Sequence, residues 1–312
     1  MAAERWRAAL PYLGIAALTV ALWGLLVSVN DFLAGVLASI LIWTVATSGL
    51  NVIAGLGGYP SLVQGAFYGI GAYAATLALA SGWPLWAAML LAVALAGVAG
   101  LFIGLVFSRT RGQYFGIGTL FFGVVVALLL NNWTQLTHGP LGLPAPFAFA
   151  DNGELNVVIA LSAGCALALV QALGRARLGR RLVTIRADED LAEHVGVPTA
   201  RTKLTAFVIS AMVGGYAGVL IAQYNGTISP ELFDQTVGFV MFVAVSVGGA
   251  GRVLGPLVGS AFIVGVPDLL TLPSGIGLLI VGAIFVAVVI LLPDGLIGGM
   301  AALWRRVAGR RA

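Results

Sequence analysis

Charge is scarce in this chain. Of its 312 residues only 9% are Asp, Glu, Lys or Arg, and 60% are hydrophobic, whereas about a quarter of an ordinary soluble domain is charged. A water-soluble globule of this size cannot hide that much apolar surface, so the chain is expected to lie in a bilayer. Cysteine is nearly absent: Cys165 is alone and sits in an apolar run, which excludes an internal disulfide and a cysteine-based metal cluster. The two histidines, His138 and His194, have no His-x-x-x-His or Glu-x-x-His partner, so neither a zinc site nor an intramembrane Ser-His protease is expected. Lysine occurs once. A phosphate-binding loop needs its lysine directly after glycine, but Lys203 follows Thr202 without a glycine-rich lead, so nucleotide hydrolysis by this route is excluded. No catalytic residue, metal or cofactor is expected in this chain.

What is present in quantity is apolar sequence of membrane-crossing length. About 20 apolar residues cross roughly 30 Å of hydrocarbon. Ten segments qualify: 8–29, 33–54, 61–80, 84–107, 114–131, 155–173, 204–224, 236–250, 253–270 and 275–292. The first is too long for the apolar region of a signal peptide and reads as an uncleaved span. With the N-terminus in the cytoplasm, alternation puts all 16 Lys and Arg on the inner side, from Arg5 and Arg7 to Arg305–Arg311. The outer loops then carry only acids: Asp31, Asp151, Glu154, Glu231, Asp234 and Asp268. This split follows the positive-inside rule and supports an even number of spans with both termini cytoplasmic. It also explains the net charge of +4 as topology rather than a nucleic-acid-binding patch.

Two connections are long. The outer one, 132–154, contains Gly139, Pro140, Gly142, Pro144 and Pro146 and reads as a compact surface loop. The inner one, 174–203, holds 11 of the 28 charged residues. Within it Asp188–His194 reads as a short helix: acids cluster in the first turn, His194 lies near the end, and Gly196 and Pro198 stop it. The spans themselves contain almost no ionisable groups, which argues against a proton or sodium carrier built on buried carboxylates. An ion-coupled secondary transporter using carbonyls of broken helices remains the alternative. Glycine-rich breaks are indeed present at 55–71, between the second and third spans, and at 248–255, between the eighth and ninth. Such breaks either pack helices closely or expose backbone to a path from which lipid is excluded. Asn51, Gln64 and Asn131 stand out there, because an amide facing lipid is costly.

Several segments, in order from about residue 45 to 297, carry a family resemblance: 58–73 (GYPSLVQGAFYGIGAY), 111–115 (RGQYF), 130–143 (LNNWTQLTHGPLGL), 185–190 (IRADED), 203–210 (KLTAFVIS), 228–231 (ISPE), 248–251 (GGAG) and Gly255-Pro256. In these the chain resembles the permease subunits of branched-chain amino acid ABC importers, specifically the LivM-type half of the pair. The resemblance implies an all-α, type II-like importer permease of about ten transmembrane helices, occupying 1–312 as one domain, in a bacterial inner membrane. It implies a second related permease, two cytoplasmic ATPases that bind ATP-Mg, and an extracytoplasmic binding protein as partners. It also makes 174–203 a cytoplasmic coupling loop, with Asp188, Glu189, Asp190, Glu193 and Gly196 at the ATPase, and makes Asn51, Ser61, Gln64, Tyr73 and Asn131 substrate-pathway candidates. The implied solute is a branched-chain or other apolar amino acid, although related permeases serve urea, short amides or aromatic acids. Replacing the 188–196 helix with a flexible linker is expected to abolish uptake while leaving membrane insertion intact; substrate-stimulated ATPase at the normal level in that variant contradicts the assignment.

Overall fold

The computed structural model describes residues 2–110, 112–269, 295–300 and isolated positions between 279 and 292, with side chains from residue 10 onward. The expected tenth span, the basic C-terminal segment and the side chains of Arg5 and Arg7 lie outside the described residues. What is described is mostly helical, with irregular connections and one two-residue strand pair.

Helix α1 (Ala2–Ser28) leads through extended Asn30 into α2 (Asp31–Leu50), which has an acid in its first turn, where the helix dipole favours it. Helix α2 does not stop at Leu50. It widens into a π-helical turn, Asn51–Leu56, after which the chain runs without regular structure through Gly58 at φ +75° to Val63. Helix α3 (Gln64–Ala80) follows. Pro84, extended and lacking an amide proton, precedes α4 (Leu85–Phe107). Then come α5 (Gln113–Asn132) and the one-turn α6 (Thr134–Thr137). Strand β1 (Leu143–Pro144) pairs antiparallel with β2 (Thr227–Ile228), Leu143 opposite Ile228. Helix α7 (Asn152–Arg175) is capped by Asp151, whose Oδ1 accepts from the Glu154 amide at 2.7 Å. Helices α8 (Arg177–Ala187) and α9 (Glu189–His194) make up most of the inner connection. Helix α10 (Thr199–Asn225) ends on Gly226 at φ +68°. Helix α11 (Gln235–Gly249) is capped by Asp234. Helices α12 (Gly255–Ser260) and α13 (Val266–Leu269) flank a second π-helical turn, Ala261–Gly265.

Among the described residues seven helical segments are long and apolar enough to cross a membrane: Leu10–Ser28, Asp31–Leu56, Leu85–Phe107, Gln113–Asn132, Asn152–Arg175, Thr199–Asn225 and Pro230–Gly249. Two of the expected spans are shorter than the apolar sequence implied. The 61–80 segment is helical only from Gln64, over 17 residues, or about 25 Å at 1.5 Å per residue. The 253–270 segment is the 15-residue Gly255–Leu269 stretch, divided by its π-helical turn. Apolar composition does not distinguish a continuous helix from one interrupted inside the protein, because backbone away from lipid is held by partners that composition does not reveal. The inner connection also differs in detail: α8 occupies its first half, where only the later α9 was expected.

Helix α10 lies at the centre, packed on α2, α3 and α4. It approaches α3 through small residues: a Cβ on Gly71 would overlap the Gly215 carbonyl, and one on Gly218 would overlap the Tyr68 carbonyl. Backbones can come this close only where neither helix carries a side chain. By contrast Gly14 and Gly24, on α1, have nothing within 4 Å of an added Cβ. Gly218→Val is therefore expected to cost about 1–3 kcal/mol by overpacking and to lower the thermal midpoint in detergent, whereas Gly24→Ala leaves it unchanged; equal midpoints for the two variants would show that the α3–α10 crossing relaxes freely.

Candidate functional site

The two glycine-rich breaks lie against each other. Asn51, fully buried where α2 becomes π-helical, donates its Nδ2 to the Arg252 carbonyl at 3.0 Å and accepts from the Gly251 amide at 2.8 Å. One amide therefore bonds both a donor and an acceptor of the 249–252 loop, beside the loop's turn bonds between Arg252 and residues 249 and 255. Gly55 is glycine because a Cβ there would collide with the Asn51 side chain and the Gly251 amide. Arg186, on α8, donates Nη1 to the Gly55 carbonyl and to the Ala250 carbonyl. Its aliphatic stem covers Gly58, where a Cβ would come within 2.6 Å of the arginine Cγ.

Gln64 begins α3 and is also fully buried. Its Nε2 donates to the carbonyls of Ala46 at 2.9 Å and Ser210 at 3.2 Å, and its Oε1 accepts the Ser210 hydroxyl at 3.0 Å. The side chain thus joins α2, α3 and α10 at one point. Asn51 and Gln64 were both expected to line a path; in this conformation their polar atoms are engaged in holding the breaks. Ser61 and Tyr73 differ. Their hydroxyls are buried and without a hydrogen-bond partner, as are those of Ser48, Tyr68 and Thr76. Tyr68 and Tyr73 both meet the Phe233 ring edge-on, at 5.5 and 5.9 Å. Tyr73 also lines an apolar cavity of about 410 Å³ between α3, α4 and α5, closed near its outer end by Trp133 and Thr137. Asn131 does not join this group: it is exposed at the outer end of α5. A larger apolar cavity, about 590 Å³, lies between α2, α4, α7 and α10, where Ser162 and Tyr216 share a hydrogen bond of 2.7 Å.

On the inner side Asp188 caps α9, accepting from the Leu191 amide at 2.9 Å, and Gly196 at φ +84° ends it. Glu189 turns inward. It accepts from Lys203 Nζ at 2.7 Å through Oε1 and from the Tyr59 hydroxyl through Oε2. Lys203 is 2% exposed, donates also to the Thr110 carbonyl at 3.1 Å, and lies 4.8 Å from the centre of the Tyr59 ring. A buried cation needs such a set of partners, because its desolvation is otherwise uncompensated. Glu193 accepts from the Thr199 hydroxyl at 2.6 Å. Along α9 and its end Asp188, Asp190, Leu191, Glu193, His194 and Val195 are all exposed, Leu191 and Val195 at 60% and 65%. Sequence reading named neither Arg186, Tyr59 nor Ser210. For Lys203, its being the chain's one lysine was a signal, but only the absence of a phosphate loop was drawn from it.

A helical bundle with interior breaks held by neutral amides, and a small polar helix on one face, has the build of a membrane transport subunit. The comparisons with known proteins agree. The family described as branched-chain amino acid transport system / permease component matches residues 32–291, and the chain belongs to it. It is 32% identical to the high-affinity branched-chain amino acid transport system permease protein LivM of Escherichia coli K12, over 82% of this chain and 68% of LivM. To LivH of the same organism it is 26% identical, over 80% of this chain and 89% of LivH. To the autoinducer 2 import system permease protein LsrD of Escherichia coli SMS-3-5 it is 25% identical, over 74% of this chain and 71% of LsrD. No solved structure matches the chain. The protein is a multi-span membrane permease component, and the alternative of a stand-alone ion-coupled carrier is set aside.

Gln64→Leu removes a second bond from the helical carbonyls of Ala46 and Ser210 and takes away the acceptor of the buried Ser210 hydroxyl, at about 1–3 kcal/mol for that group. A clear fall of the thermal midpoint is expected, whereas Tyr73→Phe, which removes a hydroxyl without a partner, leaves the midpoint level or higher. The reverse order would show that Gln64 is not a strut.

Proposed function

We propose that this chain is the membrane-spanning permease of an ATP-driven ABC importer that brings a small solute, foremost a branched-chain or other apolar amino acid, into the cytoplasm. It pairs with a second related permease, receives solute from an extracytoplasmic binding protein and is driven by two cytoplasmic ATPases that hold ATP-Mg. The names of the relatives LivM and LivH favour the amino-acid solute. The reading has ten crossings with both termini cytoplasmic, one permease domain over 1–312, and 174–203 as the coupling loop.

The observation that carries the proposal is the division of labour in α9. Glu189 is turned toward the rest of the chain, the exposed Glu193 bonds Thr199 at the start of α10 and Asp188 caps the helix, so the segment is held at three points. Leu191 and Val195, four residues apart and therefore on one helix face, are left outward beside Asp190. An exposed apolar pair with an acidic neighbour on a rigid cytoplasmic helix suits insertion into a groove of a partner protein. Movement of that partner would tilt the bundle between outward-open and inward-open states. Within the path, the unpartnered hydroxyls of Ser61, Tyr68, Tyr73 and Thr76 are the groups available to a passing solute, while Asn51 and Gln64 hold the walls and Asn131 sits outside at the mouth.

Purification of the complex in mild detergent tests the proposal. ATPase chains are expected to co-purify and uptake in proteoliposomes to be vanadate-sensitive. Leu191→Asp with Val195→Asp is expected to weaken ATPase association roughly thirtyfold, as for loss of an interface anchor of about 2 kcal/mol. Uptake by the chain alone, driven by an ion gradient, would overturn the reading.

A further inference from the structure

Two side chains beside α9 reach out of the coupling loop into the interior of the bundle, and they do so at opposite ends of the broken region. Glu189, the first residue of α9, uses one carboxylate oxygen for Lys203 on α10 and the other for Tyr59 in the irregular lead-in to α3. Through Lys203 the same cluster holds the Thr110 carbonyl between α4 and α5. Arg186, two residues before the α9 cap, bridges the Gly55 carbonyl of the π-helical turn and the Ala250 carbonyl of the loop after α11. We propose, resting on the importer reading above, that Glu189, Lys203, Tyr59 and Arg186 are positioning residues that carry displacement of α9 into the two glycine-rich breaks and so set how much solute moves per ATP hydrolysed.

The chemistry suits a rigid linkage. The ion pair is buried, with the lysine 2% and the glutamate 14% exposed, so water does not stand ready to replace either partner when α9 moves. Separating them uncovers an unpaired charge, which makes it more favourable for Tyr59 and α10 to follow α9 than for the pair to open. From Tyr59 the linkage continues through rings in edge contact: Tyr59 to Phe115 at 5.4 Å, Phe115 to Phe207 at 5.6 Å, and Phe207 to Phe67 at 5.5 Å. Phe67 lies one helical turn beyond Gln64, on the α3 face that buries both residues. The packed rings have little room to yield, so the cluster joins the coupling helix to the start of α3 without a soft element between. The receiving parts are the segments with weak internal bonding, Asn51–Val63 and Gly249–Leu254, whose carbonyls Arg186 grips directly.

The test compares the intact complex in proteoliposomes carrying the unmodified chain, Glu189→Gln, Lys203→Met, Tyr59→Phe, Arg186→Lys and the exchange Glu189→Lys/Lys203→Glu, with uptake and ATP hydrolysis read from the same sample. The single variants are expected to lower the uptake-to-hydrolysis ratio about tenfold, within the range of coupling free energies, and the exchange to recover part of it. A purely structural role would lower yield, uptake and hydrolysis together at constant ratio, and that result overturns the proposal. Tyr59→Phe keeps the ring and its packing, so it decides the question if the charge variants do not assemble: an unchanged ratio in that variant counts against the linkage. Failure of the unmodified chain to associate with any ATPase overturns the importer reading instead, and is read before any variant is compared.

Discussion

Backbone amides and carbonyls inside a bilayer have no water to bond, so every interruption of a helix must be satisfied by the protein itself. That constraint organises this molecule. The chain departs from α-helix at Asn51–Val63 and again at Gly249–Leu254, and each departure is met by a specific side chain. Asn51 bonds the far loop through both ends of its amide, Gln64 bonds two carbonyls and a hydroxyl, and Arg186 bonds a carbonyl from each break. Glycine at 55, 58 and 251 is what lets these side chains approach the backbone. The amides that the composition offered as path-lining groups are thus the ones that make the broken region possible.

The helix crossings give the breaks a firm surround. Helix α10 touches α2, α3 and α4 through small residues, and its Ser210, Phe207 and Lys203 successively meet the Gln64 node, the aromatic chain and the ion pair with Glu189. One helix therefore links three levels of the bundle. This arrangement places helix α9 within a few contacts of the interior of the bundle. The hydroxyls left without partners on α3, those of Tyr68, Tyr73 and Thr76, follow the engaged Gln64 along the helix, while Ser48 and Ser61 lie close in sequence to the engaged amides.

Much of this was legible in the residues. The apolar runs and the one-sided distribution of arginine identified a multi-span protein, and the order of motifs from 58–73 to Gly255-Pro256 identified the permease family. The short helix α9 was readable from Asp188, the acids after it, and Gly196, because capping and helix ends are local events. Less legible were the lengths of the third and ninth segments, since 61–80 and 253–270 are as apolar as true spans. Also hidden were the partners of Glu189 and Glu193, since Lys203 and Thr199 are 14 and 6 residues away and sit on a different helix.

By itself the sequence determined the environment, the class and some capped helix ends such as that at Asp188, because hydropathy and capping act over a few residues. Only the tertiary structure decided which polar groups are struts and which are free, because that depends on partners 18 to 201 positions distant for Gln64 and Asn51. A buried amide has the same composition whether it meets a carbonyl or an open path; the helices brought beside it determine which.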